Sequence, residues 1–223
     1  MKRLFDILAS ISALIVLAPL LLVISLLIKV TSPGPIFYRA ARSGRNGKTF
    51  TMLKFRSMRV RPSTGSVITG ANDSRIFPVG KFVRVTKIDE LPQLINVLKG
   101  EMSIVGPRPE DPKIVEHHYT PLLRKSLEAA PGLASPGSIF NYTHGDACLA
   151  GDDPERLYIE KLMPIKVAMD VYYVQNQSLA YDLQIIARTV KTILQIAAGR
   201  KDFPHPPEHE PAQALLRDDQ HAR

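Results

Sequence analysis

Asp89 and Glu90 stand side by side in TKIDELPQLINVLKG, residues 86–100, with Arg84 just before them and Arg108 shortly after. Carboxylates among arginines suit phosphate chemistry. An ionised aspartate can attack phosphorus and form an acyl phosphate. A carboxylate facing a phosphate needs cations, or a divalent metal, to overcome charge repulsion. Arg84 and Arg108 are candidates for that role, and Lys54 and Arg56 in FTMLKFRSM, residues 50–58, are two more. Pro107 and Pro109 restrict the backbone on both sides of Arg108. The plainer explanation of Asp89-Glu90 is structural, because acidic residues favour the first turn of a helix through capping and the helix dipole. The surrounding cations tip the balance towards phosphate, which the same helix end attracts.

These residues need elements to hold them. Leu91, Leu94, Ile95 and Leu98 recur at helical spacing, which predicts a helix over residues 86–100 with those four on one face. Pro92 falls in its first turn and Lys99-Gly100 closes it. Residues 50–58 read as a strand with Met52, Lys54 and Arg56 on one face and Leu53 and Phe55 on the other. A short strand at 36–38 and a polar turn at 43–48 precede it. Residues 61–73 read as a loop, and a basic helix follows through Gly80, Lys81 and Arg84. Residues 101–109 read as a short strand entering a rigid loop. Helices are expected over 112–130, over 153–174 with a bend at Pro164, and over 178–198 with Leu183, Ile186, Val190, Ile193 and Ala197 on one side. Residues 131–151 read as loop-rich. The tail is proline-rich, without apolar period, and reads as disordered. The class is α+β, mostly helical, with short strands and membrane-surface amphipathic helices.

The N-terminus meets a membrane. Ile7 to Ile28 carries no charge, which is the length of a spanning helix. A signal peptide fits poorly, because the apolar run is too long and no small-x-small cleavage site follows. Pro19 sits near the middle, where proline kinks or breaks a helix. Lys2 and Arg3 precede the run, and Lys29, Arg39, Arg42, Arg45 and Lys48 follow it. Positive charge favours the cytoplasmic side, so both flanks belong there, and a single span cannot meet that demand. A re-entrant helix–break–helix can, each arm reaching about 17 Å. Ser10, Ser12 and Ser25 are placed to satisfy backbone groups near the bend.

The net charge of +8 favours anionic partners. Nucleic acid is excluded as the partner: no binding module is recognisable, tryptophan is absent and aromatics are few among the basic clusters. Cys148 is alone, so no internal disulfide forms, and no zinc spacing is present. Neither GxGxxG nor the Walker phosphate loop occurs.

The run RIFPVGKFVRVTKIDELPQLINVLKGEMSIVGPRP, residues 75–109, resembles the signature of the bacterial sugar transferases, the monotopic phosphoglycosyl transferases. KFRSM and the proline-bearing N-terminal helix resemble that family too, and the likeness covers roughly residues 1–200. It implies a re-entrant anchor over 1–31 and a cytosolic catalytic domain over 32–200, and the tail read as disordered over 201–223 lies beyond the likeness. It also implies a covalent mechanism at the cytoplasmic face of the bacterial inner membrane. Asp89 would attack a UDP-sugar, releasing UMP, and undecaprenyl (polyprenyl) phosphate would then take the sugar phosphate. This step would start exopolysaccharide, capsule or glycoconjugate assembly. Asp89 and Glu90 would hold Mg²⁺, Gln93 would share the face of Asp89, and Lys54, Arg56, Arg84 and Arg108 would hold phosphates. Membrane lipid and downstream glycosyltransferases are the further partners implied. A catalytically silent membrane scaffold recruiting glycan-assembly partners is the alternative. Two stretches depart from the family pattern: Ala18-Pro19 replaces Ser-Pro, and PGLASPGSIFNYTHGD replaces a PGLTGLWQ-like stretch. The second leaves Tyr142, His144 and Asp146 as candidate sugar contacts. His117 and His118 read as ordinary surface histidines.

Overall fold

The computed structural model describes residues 1–59 and 75–221. The loop expected at 61–73 lies outside the described residues. Helix α1, Lys2–Thr31, contains Pro19 and is one helix, not two arms with a gap between them. Proline removes a single backbone bond, and the turns on either side carry on. Ser25 Oγ donates to Leu21 O at 2.7 Å, whereas Ser10 Oγ is buried without a partner. The apolar stretch of α1 is long enough to cross a membrane, and only 11% of it is buried.

Both ends of α1 are fastened to the rest of the chain. At its start, Arg3 donates to Val97 O at 2.5 Å and Leu98 O at 2.9 Å. Lys2 pairs with Asp182 at 2.6 Å. Asp6 is buried and accepts from Ser103 Oγ and Ile104 N. At its end, Ile24 and Ile28 pack with Phe55, Phe77 and Val83. Between these anchor points, Ile11, Ile15, Val16, Leu20, Leu22 and Val23 are exposed. So large an apolar surface implies association with a membrane.

Strands β1, Phe37–Ser43, and β2, Thr49–Phe55, form an antiparallel hairpin with Phe37 opposite Phe55 and Ser43 opposite Thr49. Helix α2, Pro78–Val85, follows. Its Gly80 lies so close to the Ser57 carbonyl that an added Cβ would sit 2.0 Å from that oxygen. A 3-10 turn at Ile88–Glu90 leads into α3, Gln93–Lys99, which ends on Gly100 at φ 84°. The most buried side of α3 is Gln93, Leu94, Asn96 and Val97. Leu91, Ile95 and Leu98, expected on one face with Leu94, are only half-buried. The reason is Asn96, which faces the edge of β2. It accepts from Leu53 N at 3.0 Å and donates to Thr51 O at 2.8 Å, acting as a surrogate strand partner.

Strand β3, Ser103–Val105, runs parallel to β4, Gly132–Ala134. The two chains cross at Gly106 and Gly132, where a Cβ on Gly132 would lie 2.1 Å from Gly106 N. Between them, α4, Pro112–His118, and α5, Pro121–Arg124, replace the single helix expected over 112–130, because Pro121 restarts the chain. Helix α6, Pro136–Cys148, replaces the expected loop at 131–151. Ser135 caps it by accepting from Ser138 N, and Pro136 opens it. One turn, α7, Pro154–Leu157, and a π-helical turn, Tyr158–Leu162, precede α8, Met163–Gln175. The helical run is continuous from Pro154 to Gln175, as expected over 153–174, and its irregularity is the π-helical turn that ends just before Pro164. Helix α9, Leu179–Ala197, buries Asp182, Ile185, Thr189 and Thr192 and exposes Leu183, Val190 and Leu194.

The tail differs most from expectation. Residues His209–His221 form α10, whose Ala212 is fully buried beside Phe140, Leu123 and Met169. Glu208 is buried on a two-pronged pair with Arg188, at 2.6 and 3.0 Å. A short sequence with few apolar residues gives little sign of a helix that docks through Ala212, Leu216, the His209–Phe140 stack and the Glu208–Arg188 pair. The α+β, mostly helical class holds.

Candidate active site

Three elements bring the carboxylates and cations together. Lys54 is near the end of β2, Asp89 and Glu90 lie on the 3-10 turn before α3, and Arg108 follows β3. The bonds of Asn96 hold α3 against β2 and so set Lys54 beside Glu90. Lys54 Nζ lies 3.0 Å from Glu90 Oε1, and Arg108 Nη2 lies 2.7 Å from the same oxygen. Tyr142, from α6, donates to Glu90 Oε2 at 3.2 Å and accepts from Arg108 Nη1 at 3.1 Å.

The two carboxylates are set differently. Both are buried. Burial alone would raise the pKa of Glu90, but Arg108 and Lys54 outweigh it and hold Glu90 well below the usual range. Asp89 is pushed the other way, first by burial and then by the charge of Glu90, against the pull of Lys54, Lys87 and Arg84. Asp89 Oδ1 is buried with no hydrogen-bond partner, and so is Gln93 Nε2. Glu90 is therefore a fixed anion inside a cation cage, while Asp89 keeps an oxygen that no hydrogen bond occupies, and a nucleophile needs such a free lone pair.

Arg108 is held from behind. Its backbone N donates to Asp170 Oδ2 at 2.9 Å, and Gly137 N donates to Asp170 Oδ1 at 2.8 Å. Burial pushes the Asp170 carboxyl up to about 6 despite these donors. Asp170 thus joins the arginine loop to the start of α6, which carries Tyr142. Sequence reading missed it, although a lone carboxylate inside the apolar run AMDVYYV is a legible oddity. Lys87 was missed as well. It adopts a left-handed backbone, φ 57°, and its Nζ sits 3.9 Å from the centroid of the Tyr142 ring.

Not every expected residue reaches the site. Arg56 is buried under the end of α1, donating to Ser32 O at 2.6 Å, Pro33 O at 2.7 Å and Ser32 Oγ at 3.0 Å. It fastens the anchor instead of holding phosphate, because β2 ends at Phe55 and the alternation that paired it with Lys54 ends there. Arg84 reaches Ser57 Oγ at 3.4 Å and contributes charge near Asp89. Of the candidate sugar contacts, only Tyr142 enters the cluster. His144 stacks between Phe140 and His205, at 4.8 and 4.5 Å, and Asp146 is exposed. His117 and His118 are exposed, as surface histidines are.

Mg²⁺ fits this donor set in one respect. The ion asks for one or two carboxylates besides substrate phosphates. Asp89 Oδ1 is buried but has no hydrogen-bond partner to displace, whereas the Glu90 oxygens already take Lys54, Arg108 and Tyr142.

The chain is similar to several curated proteins. It is 38% identical over 212 residues to the exopolysaccharide production protein PSS of Rhizobium leguminosarum bv. phaseoli, covering 89% of this chain and 98% of that protein. It is 37% identical over 196 residues to the UDP-N-acetylgalactosamine-undecaprenyl-phosphate N-acetylgalactosaminephosphotransferase of Aeromonas hydrophila, covering 86% of this chain and 43% of that enzyme. It is 38% identical over 197 residues to the UDP-glucose:undecaprenyl-phosphate glucose-1-phosphate transferase of Escherichia coli (strain K12), covering 85% of this chain and 39% of that enzyme. The chain thus spans nearly all of the first relative and less than half of the other two. The family model for bacterial sugar transferases matches residues 1–196, which include the anchor, the carboxylate pair and the arginine loop, and the chain belongs to that family.

Proposed function

We propose that this chain transfers a sugar 1-phosphate from a UDP-sugar to undecaprenyl phosphate through a covalent intermediate on Asp89, as the first step of exopolysaccharide or related glycan assembly. The observation that carries this reading is Asp89 itself, a buried carboxylate with an unpartnered oxygen beside a cation cage. Asp89 attacks the β-phosphorus, and the bond from that phosphorus to the bridging oxygen breaks, releasing UMP. An oxygen of the lipid phosphate then attacks the same phosphorus. Asp89 is freed, and the sugar is left on a lipid diphosphate. Arg108 and Lys54 screen the negative charge that gathers as phosphate meets carboxylate. Mg²⁺, when bound, would add further charge neutralisation at the diphosphate.

The anchor suits a lipid substrate. Both ends of α1 fasten to the same domain, which supports a re-entrant helix with its two flanks on the cytoplasmic face of the inner membrane. Phe82 and Val85 of α2 and Leu183, Val190 and Leu194 of α9 are exposed apolar residues that would lie along the bilayer surface. The identity of the sugar is open, because relatives named for UDP-N-acetylgalactosamine and for UDP-glucose match equally well, at 37% and 38%. The test is UMP release across a panel of UDP-sugars, with and without undecaprenyl phosphate and Mg²⁺. One UDP-sugar should give sustained UMP release that depends on the lipid phosphate. Absence of UMP from every member would favour a scaffold over an enzyme.

A further inference from the structure

We infer that Lys87 is a substrate-binding residue of this site, the cation that receives the β-phosphate of the bound nucleoside diphosphate. The inference rests on the UDP-sugar reading above and gives that substrate a contact which the carboxylates and Arg108 do not supply.

Three observations converge on Lys87. The first is its backbone. Among the described residues, only Asn46 and Lys87 are non-glycine residues at positive φ. Asn46 lies in a hairpin turn, where asparagine is at ease. Lysine has no such ease at φ 57°, and strain of this kind persists where the surrounding structure imposes it, commonly at functional sites. The strained residue comes directly before the turn that carries Asp89 and Glu90, and Glu90 N donates to its carbonyl at 3.1 Å.

The second is its ammonium. Lys87 Nζ makes no hydrogen bond or ion pair with a described side chain and instead rests on the face of Tyr142, 3.9 Å from the centroid. Glu90, Arg108, Asp89 and Lys54 are the charged groups that act on it. A cation parked on a ring face is held at the site without a counter-ion.

The third is the state of its neighbours. Lys54 and Arg108 are both engaged on Glu90, and Arg56 is engaged on the end of α1. Arg84 reaches Ser57 and Met58. Lys87 is the half-buried cation beside Asp89 that no described side chain already matches with an anion. The phosphorus that Asp89 would attack is the β-phosphorus, so the phosphate nearest Lys87 is the β-phosphate.

The experiment compares UDP and UMP binding to the full-length protein in lipid nanodiscs with Mg²⁺ present, for the wild type, Lys87→Gly and Lys87→Gln. Glycine adopts the left-handed backbone without strain, so Lys87→Gly is expected to melt at or above the wild-type temperature. Lys87→Gln keeps a polar side chain and loses the charge. Both variants are expected to bind UDP about tenfold more weakly and UMP less than about threefold more weakly. Wild-type affinity for UDP in either folded variant, or an equal loss for UDP and UMP, would overturn the assignment. If the wild type binds no UDP, the UDP-sugar reading fails and takes this inference with it.

Discussion

At the scale of single residues, the site separates two neighbouring carboxylates by environment. Glu90 is tied down by Lys54, Arg108 and Tyr142, and Asp89 is not. The raised pKa of Asp89 has a testable sign. In the proposed mechanism only the ionised form attacks phosphorus, so kcat/KM should climb with pH through a value above the ordinary aspartate range. Lys54 pulls that value down. Replacing Lys54 with Met should therefore move the acid limb to higher pH as well as lower the rate, and an unmoved limb would remove Lys54 from the electrostatics of Asp89. Arg108 gives a second test. It uses Nη1, Nη2 and its backbone N at once. Lysine cannot copy a two-pronged contact, so Arg108→Lys should lose about a hundredfold in kcat/KM, close to the loss in Arg108→Ala. Near-normal turnover by the lysine variant would reduce Arg108 to background charge. Asp89, Glu90, Lys54 and Arg108 were legible because their meaning is local: adjacent acids, a proline-clamped arginine, a cation on a strand. Arg56 looked equivalent to Lys54 only while the strand was read as extending past Phe55. Lys87 was hidden by a helical pattern that gave no sign of a left-handed turn.

At the scale of elements, the site depends on three polar clamps. Asn96 joins α3 to β2, Asp6 joins α1 to β3, and Asp170 joins α8 to the arginine loop and α6. Asp170 is the most exacting, since each of its oxygens accepts from a backbone N–H. Asparagine would turn an NH₂ towards one of those donors. Asp170→Asn should lose about 1–3 kcal/mol of stability and reduce kcat/KM by loosening Arg108. The pH sign is also fixed. Its folded pKa of about 6 lies above the ordinary 3.8, so the native state holds a proton that the unfolded chain releases. Wild-type stability therefore gains as pH falls through about 6 towards 3.8, and this component disappears in the variant. Melting temperatures of both proteins across that window check it, and parallel curves would contradict it. Strand β2 and α9 were readable from periodicity, whereas β4, Gly132–Ala134, fell in the stretch read as loop because three residues show no alternation. Helix α6 was not, because glycine, serine and asparagine mask its pattern, and its signal is the cap Ser135-Pro136. Helix α10 was not, because its docking is tertiary.

At the scale of the whole molecule, the proposed reaction asks the chain to bring a water-soluble nucleotide and a membrane lipid to one carboxylate. The fastening of both ends of α1 to one domain leads to a topological expectation. A cysteine inserted after Met1 and a Pro35→Cys change, each in a Cys148→Ser background, should both resist a membrane-impermeant thiol reagent in intact cells and react after permeabilisation. Labelling of the N-terminal cysteine in intact cells would establish a spanning helix. A covalent mechanism suits the geometry, because it lets the nucleotide leave before the lipid phosphate arrives. The most direct test of that claim is mass spectrometry of the protein incubated with its UDP-sugar and Mg²⁺, without lipid acceptor, and quenched in acid. The wild type should carry one sugar phosphate on the peptide containing Asp89, lost on addition of undecaprenyl phosphate and absent from a folded Asp89→Asn variant. An unmodified Asp89 peptide in a preparation that turns over once both substrates are present would contradict the covalent role of Asp89.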